Sequence, residues 1–238
     1  MPRFAELAAT LHALERWLLP PECLLCKAPV PEREGDALVC ALCRSRWRPI
    51  PDPVCARCGE PRAGPDPCRI CAEWPAALAR ARSAVRLEGG ARAAVHHLKY
   101  DGWWRLAEPM AAVMARLEPL LPGVCLVPVP LARRRERGRG YNQSERLASA
   151  LSAALGLPLR AGLLRRARET PTQTALTPDE RRANVAGAFA GAAPARGLRI
   201  VLVDDVFTTG ATLGAAAEAL SAAGAASVEA VTFARAAN

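Results

Sequence analysis

At 238 residues the chain has room for one full α/β domain and a smaller module. No apolar run in it approaches the length of a bilayer span, which argues against a helical membrane protein. The formal charge of +9 favours an anionic partner, and its placement says more than its sum: residues 22–73 hold eight basic and eight acidic side chains, residues 129–182 twelve and five.

Residues 1–20 carry Phe4, Leu7, Leu11, Leu14 and Leu18 at three- and four-residue steps, interrupted by Glu6, His12, Glu15 and Arg16. That period predicts an amphipathic helix packed on its own protein, and the charges break up any secretory core. A cytoplasmic protein with reduced thiols is therefore expected.

Eight of the nine cysteines precede residue 72 as Cys23-x2-Cys26, Cys40-x2-Cys43, Cys55-x2-Cys58 and Cys68-x2-Cys71. Two-residue spacing lets both sulfurs of a knuckle reach one metal, and two knuckles complete a tetrahedral thiolate site for zinc. Four thiolates leave no position for water, so two structural zinc ions are expected rather than catalytic ones. Sequential pairing, Cys23/Cys26/Cys40/Cys43 and Cys55/Cys58/Cys68/Cys71, makes two short ribbons; cross-bracing of the first knuckle with the third and the second with the fourth stays open. A module this short and proline-rich buries little core, so metal supplies most of its folding energy. Arg44-Ser45-Arg46-Trp47-Arg48 interleaves arginines with an aromatic, a pattern that can hold phosphates and stack a base. The negative charge of the thiolate sites weighs against that reading, and a solvated arginine face beside a packed Trp47 is the alternative.

Beyond a connector, residues 83–87 read as a first strand ending at Gly89-Gly90, and 91–101 as a helix with Val95 and Leu98 on one side and His96, His97 and Lys99 displayed. Adjacent histidines point in different directions on a helix, so surface or cap roles are expected for both. Residues 103–121 read as a further helix. The run from Val124 to Pro130 is a buried strand stopped by its prolines, with Cys125 packed as a small apolar residue. Residues 131–140 read as a loop with Arg133, Arg134, Arg135, Arg137 and Arg139 in seven positions, like charges that a pyrophosphate would neutralise. The competing reading is a basic loop that touches RNA or DNA without sequence preference. Tyr141-Asn142-Gln143-Ser144 opens a helix to Leu155, and 157–164 reads as a strand. The polar segment 165–180, with Thr170, Thr172, Gln173 and Thr174, is long enough for a mobile lid, and Arg181 and Asn184 begin a short helical turn.

Ile200, Val201, Leu202 and Val203 then form a buried strand closed by Asp204 and Asp205. Thr208-Thr209-Gly210-Ala211-Thr212 follows, leading into a helix at 213–223 and a strand at 227–234. Strand, small-residue loop and helix start together make an anion site, because free amides and the positive end of the helix dipole converge there. The aspartates suit sugar hydroxyls or a magnesium ion. An ordinary N-cap at Thr212 would account for the loop alone. The whole string 201–212, however, resembles the phosphoribosyl-pyrophosphate motif of type I phosphoribosyltransferases, in which the acids hold the ribose hydroxyls and the loop the 5′-phosphate.

Four CxxC knuckles, His97-Leu98-Lys99-Tyr100-x-Gly102, Val127-Pro128-Val129-Pro130, Arg139-Gly140-Tyr141-Asn142-Gln143, Arg166-x-Arg168-x-Thr170-x-Thr172-Gln173, Arg181-x-x-Asn184 and the phosphoribosyl loop occur in the order seen in the ComF family. The resemblance implies an α/β chain: a type I phosphoribosyltransferase-like parallel sheet with flanking helices (76–238), preceded by a small Cys-rich zinc-ribbon module (21–75) and the N-terminal helix (1–20). It implies phosphoribosyl pyrophosphate or a related phosphate ligand, with magnesium, at Asp204, Asp205, Thr208, Thr209, Gly210, Ala211 and Thr212. Arg133, Arg135, Arg137, Arg139, Arg166, Arg168 and Gln173 are then the pyrophosphate and lid candidates. Single-stranded DNA and competence proteins are the implied partners, as in transformable bacteria. The rival expectation is a non-catalytic nucleotide or nucleic-acid binding module that uses its zinc ribbons for docking.

Overall fold

The computed structural model describes residues 18–62, 64, 68–117, 123–169 and 178–237, so most of the expected N-terminal helix lies outside the described residues. The chain divides into two compact units, Met1–Trp47 and Arg48–Asn238. In the first, a 3-10 turn at Glu32–Glu34 leads to α1 (Ala41–Ser45). Five residues are too few for a helix to persist unaided. Here the Glu34 carboxylate accepts a hydrogen bond from the Ala41 amide at 2.6 Å and pairs with Arg44 at 3.7 Å. Trp47 is packed at 4% exposure, so its ring offers no stacking platform for a base.

The second unit is built on a four-stranded parallel sheet. The strands of the unit are β1 (Leu78–Arg86), β2 (Val124–Pro128), β3 (Leu164–Arg166), β4 (Phe189–Gly191), β5 (Arg199–Phe207) and β6 (Ser227–Arg235). The sheet order is β1-β6-β5-β2, and β3 and β4 form a separate antiparallel pair. β2 and the first half of β5 are buried on both faces, which is why they read as continuous apolar runs rather than alternating ones. The helices are α2 (Gly89–Tyr100), α3 (Ala107–Met114), α4 (Arg133–Arg139), α5 (Gln143–Leu155), α6 (Pro178–Val185) and α7 (Ala211–Ala222). α3 packs on α5, α5 on β2 and β5, and α7 on β4 and β6. At Gly191 the β4 backbone comes so near α7 that an added Cβ would stand 2.5 Å from the Ala219 carbonyl oxygen.

Several expected boundaries move. β1 starts at Leu78, in what reads as connector, because Leu78 already pairs with Val228. The helix expected over 103–121 is a 3-10 turn (Trp104–Leu106) followed by α3, since Gly102 at φ +77° and Trp103 leave helical geometry. The arginine loop is helical, as α4, and stops at Gly140 in the left-handed region. The strand expected over 157–164 shrinks to a bridge between Leu159 and Leu126, because Pro158 has no amide for a ladder; β3 begins only at Leu164.

Cys58, Cys71 and Trp74 share one apolar core with Phe207, Leu213 and Ala216. The second cysteine quartet is thus built into the sheet unit. Among the described residues, no helix is long and apolar enough to cross a membrane.

Leu202 is fully buried in the central strand β5. Leu202→Ala is expected to cost about 2–5 kcal/mol through lost transfer energy and the cavity left behind. Urea unfolding checks this, and an unchanged midpoint would contradict the packing described.

Candidate functional site

The thiols gather as sequential quartets, Cys23/Cys26/Cys40/Cys43 and Cys55/Cys58/Cys68/Cys71, which settles the pairing. A tetrahedral ion with bonds of about 2.3 Å sets its ligand sulfurs about 3.8 Å apart. The Cys26–Cys40, Cys55–Cys71 and Cys58–Cys68 sulfur separations are 3.9, 3.7 and 3.5 Å, so the residues fit zinc. Burial pushes the Cys23 thiol up, but backbone amides of Cys40, Cys26 and Leu25 outweigh it and bring the thiol to about 6.

A cleft of about 660 Å³ opens where β2 and β5 end, the usual place for ligands in a parallel sheet. Asp204, Asp205, Thr208 and Thr212 enter it from β5 and the turn to α7, Arg135 and Arg139 from α4, and Arg166 from β3. Lys99 and Ser144 complete its acidic corner.

Lys99 Nζ lies 2.5 Å from Asp205 Oδ2, and Asp205 is only 3% exposed. Burial pulls the Lys99 ammonium down, yet the charges of Asp205 and then Asp204 more than offset it and hold the lysine above its ordinary range. Asp204 Oδ1 accepts hydrogen bonds from Ser144 Oγ at 2.7 Å and from the Asp205 amide at 2.9 Å. Burial, reinforced by the neighbouring Asp205 charge, raises the Asp204 carboxyl to about 7 against the opposing pull of Ser144 and Lys99. The corner therefore holds one carboxylate paired with a lysine and one poised near neutrality.

Local structure explains how these side chains arrive. Ala91, Ala94, Val95 and Leu98 bury one face of α2, which leaves Lys99 at its last turn directed at β5. The Tyr141 hydroxyl donates to the Leu98 carbonyl. Asn142 caps α5 by accepting from the Ser144 amide at 3.0 Å, and its Nδ2 donates to the Val129 carbonyl at 3.1 Å. Tyr141 and Asn142 thus fix where α5 begins and hence where Ser144 points. In the loop, Gly210 at φ +83° ends the turn and the twelve-residue α7 starts at once, with Thr208 and Thr212 at the cleft. Thr209 Oγ1 accepts from the Ala211 amide at 3.4 Å.

The arginines divide. Arg135, Arg139 and Arg166 line the cleft, whereas Arg133, Arg137 and Arg168 do not. Arg168 donates to the carbonyls of Asn184 and Ala186 at 3.0 and 2.8 Å, tying the β3 edge to the end of α6. Arg139 donates to Gln143 and lies over the Tyr100 ring. Burial, followed by the Arg135 charge, lowers the Arg166 guanidinium, the mark of cations gathered around space for an anion. Gln173 lies outside the described residues. Sequence reasoning took Lys99 for a displayed side chain and passed over Ser144; the one available signal was a lysine beside apolar Leu98 in a chain of 30 arginines and two lysines. His96 and His97 do not diverge either: their Nδ1 atoms lie 3.4 and 2.7 Å from Asp101 Oδ2, and the hydrogen bond from His97 lowers the Asp101 carboxyl.

Comparison with known proteins agrees with this organisation. Residues 14–72 match the double zinc ribbon domain, and residues 142–238 the phosphoribosyl transferase domain. The chain is 33% identical to the DNA utilization protein YhgH of Salmonella typhi over 219 residues, covering 89% of this chain and 95% of that protein. It is 30% identical to the competence protein ComFC of Bacillus subtilis over 215 residues, 84% of this chain and 85% of the relative. A shorter match, 42% identical over 93 residues, links 37% of the chain to 40% of the competence protein F of Haemophilus influenzae.

Lys99→Met is expected to cost about 3–5 kcal/mol, because it leaves the buried Asp205 charge unpaired. Adding Asp205→Asn should recover part of that loss. Equal stability of Lys99→Met and wild type in denaturant titration would refute the pairing.

Proposed function

This chain belongs to the ComF family of double-zinc-ribbon, phosphoribosyltransferase-domain proteins, and from that premise we propose that its cleft binds phosphoribosyl pyrophosphate with magnesium and transfers the phosphoribosyl group. The observation that carries the reading is the meeting of three features in one cleft: the acid pair, the amide-rich turn into α7, and Arg135, Arg139 and Arg166. The carboxylate oxygens are hard donors of the kind magnesium takes, so Asp204 and Asp205 would hold the ion, which when bound offsets the diphosphate charge. The turn 208–212 receives the 5′-phosphate on its backbone amides and threonine hydroxyls. Asp204, more exposed than Asp205, takes the ribose hydroxyls, while Lys99 pairs with Asp205. As the bond from the anomeric carbon to pyrophosphate breaks and the bond to the acceptor forms, the three arginines hold the departing anion. The names of the relatives, DNA utilization protein and competence protein, support a role in DNA utilization or competence.

A second reading is favoured by its own observation. Tyr100, Trp103 and Trp104 are exposed, with Arg139 and Arg146 stacked 5.7 and 4.8 Å from the Tyr100 and Trp104 ring centres. Such a strip suits bases of a single strand, and on this reading the protein binds without catalysis.

Titration with phosphoribosyl pyrophosphate and magnesium, followed by assay for pyrophosphate release with candidate acceptors, and titration with single-stranded DNA separate the two. Binding with release supports transfer, and DNA binding with no release supports the second reading. Capture of single-stranded DNA alone, with steep salt dependence, overturns the phosphoribosyl reading. The pH dependence is a further check. Asp204 is protonated below about 7, and its ligands require the carboxylate, so affinity should tighten as pH rises through about 7 and then level off. The Asp204→Asn protein should bind weakly and show no such rise; a flat wild-type profile would count against Asp204 as a ligand-binding group.

A further inference from the structure

The turn 208–212 rests on a residue that belongs to the second cysteine quartet. Trp74, three positions after Cys71, donates its indole Nε1–H to the Thr209 carbonyl at 3.0 Å. Its ring lies so close under Gly210 that a Cβ there would stand 2.6 Å from the six-membered ring and 2.8 Å from Nε1. Pro75 meets the first turn of α7 in the same way, 3.1 Å from the Cβ position of Gly214. On the other side the Trp74 ring packs on Phe207, the last residue of β5, with centroids 5.6 Å apart.

Both of these contacts are fastened to the quartet. The Trp74 amide donates to the Cys71 carbonyl at 3.2 Å. One guanidinium, that of Arg57 between Cys55 and Cys58, donates to the carbonyls of Cys71 at 3.0 Å and Pro75 at 2.9 Å, gathering the segment that carries Trp74. Arg235 lies 4.2 Å over the Phe207 ring, donates to the Cys58 carbonyl at 2.8 Å and bonds Glu60 at 2.6 Å. Cysteine backbone, indole and turn thus form a short continuous chain of contacts.

We propose that the second cysteine quartet, through Trp74 as a positioning residue, sets the geometry of the turn 208–212, so that loss of its zinc loosens the turn and weakens capture of a sugar phosphate. For the ligand this rests on the phosphoribosyl reading above; for the turn itself it does not. An intact quartet holds the Cys71–Pro75 segment, the segment holds the indole, and the indole holds the Thr209 carbonyl and the floor under Gly210. Removing the ion frees four thiols to separate, and the segment loses the anchor that keeps the ring in place. The device would make phosphate capture depend on zinc supply.

The test compares the zinc-loaded full chain, Trp74→Phe and Cys68→Ser by amide hydrogen exchange, zinc content and titration with phosphoribosyl pyrophosphate and magnesium. Trp74→Phe keeps a ring but loses the donor. It should retain two zinc ions, exchange about tenfold faster at 208–212 with β1 and β6 unchanged, and bind about tenfold more weakly. Cys68→Ser should lose one zinc and show the same local acceleration; if it fails to fold, the Trp74→Phe result decides. Unchanged exchange at 208–212 in Trp74→Phe, or acceleration spread evenly over the sheet, overturns the proposal. Local acceleration in a protein whose wild type ignores phosphoribosyl pyrophosphate upholds the coupling and sinks the phosphoribosyl reading instead.

Discussion

Two carboxylates in succession at the end of a buried strand are the constraint that the cleft is arranged around. An ionised group removed from water costs several kcal/mol unless it is paired and hydrogen-bonded, and two side by side repel each other as well. The structure meets this with a lysine for Asp205 and a hydroxyl for Asp204, brought from two different helices. Each helix is in turn fixed by groups that touch no ligand: the apolar face of α2 by the sheet, the start of α5 by Asn142 and Tyr141. Much of what reads as motif around residues 97–102 and 139–144 therefore serves to deliver Lys99 and Ser144 to β5. Evidence of function lies in the outcome, an acid held near neutrality at the rim of an arginine-lined space.

What could be read from the residues alone was chemistry encoded at short range. CxxC spacing places two sulfurs on one ion wherever it occurs, so the quartets were legible together with their content. An apolar run followed by acids, threonines and a glycine encodes strand, turn and helix start in consecutive positions, and β5 and α7 follow it closely. Long-range pairing was not legible. Nothing near Lys99 announces Asp205, and nothing near Trp74 announces the turn at Thr209, because those contacts exist only once the sheet is ordered. Arg168 shows the opposite error: a charge inside a basic motif reads as ligand contact, yet its guanidinium closes backbone carbonyls at the end of α6. The arginine run at 133–139 misled by composition, since like charges read as a loop until an alanine entry and a glycine exit make a helix of it.

The two cysteine quartets differ in surroundings although they are alike in sequence. One sits with α1 in a unit whose described residues include few buried ones and a helix too short to stand alone, so metal binding contributes much of the order there. The other adds Cys58, Cys71 and Trp74 to an apolar core shared with the sheet. Equal ligand sets thus stand in unequal surroundings, and stability measured for the whole chain averages over the two.

The contact at Gly191 carries a consequence for the breadth of the cleft. Because β4 lies directly against the carbonyls of α7, the thickness of that helix acts as a spacer for the β3–β4 ribbon, and the ribbon carries Arg166 to the rim. A single methyl group at this position would overlap the α7 backbone, so helix and ribbon could not keep their present spacing. The spacing between Arg166 and the acids is therefore linked to the far side of a helix, through an atom that glycine leaves out.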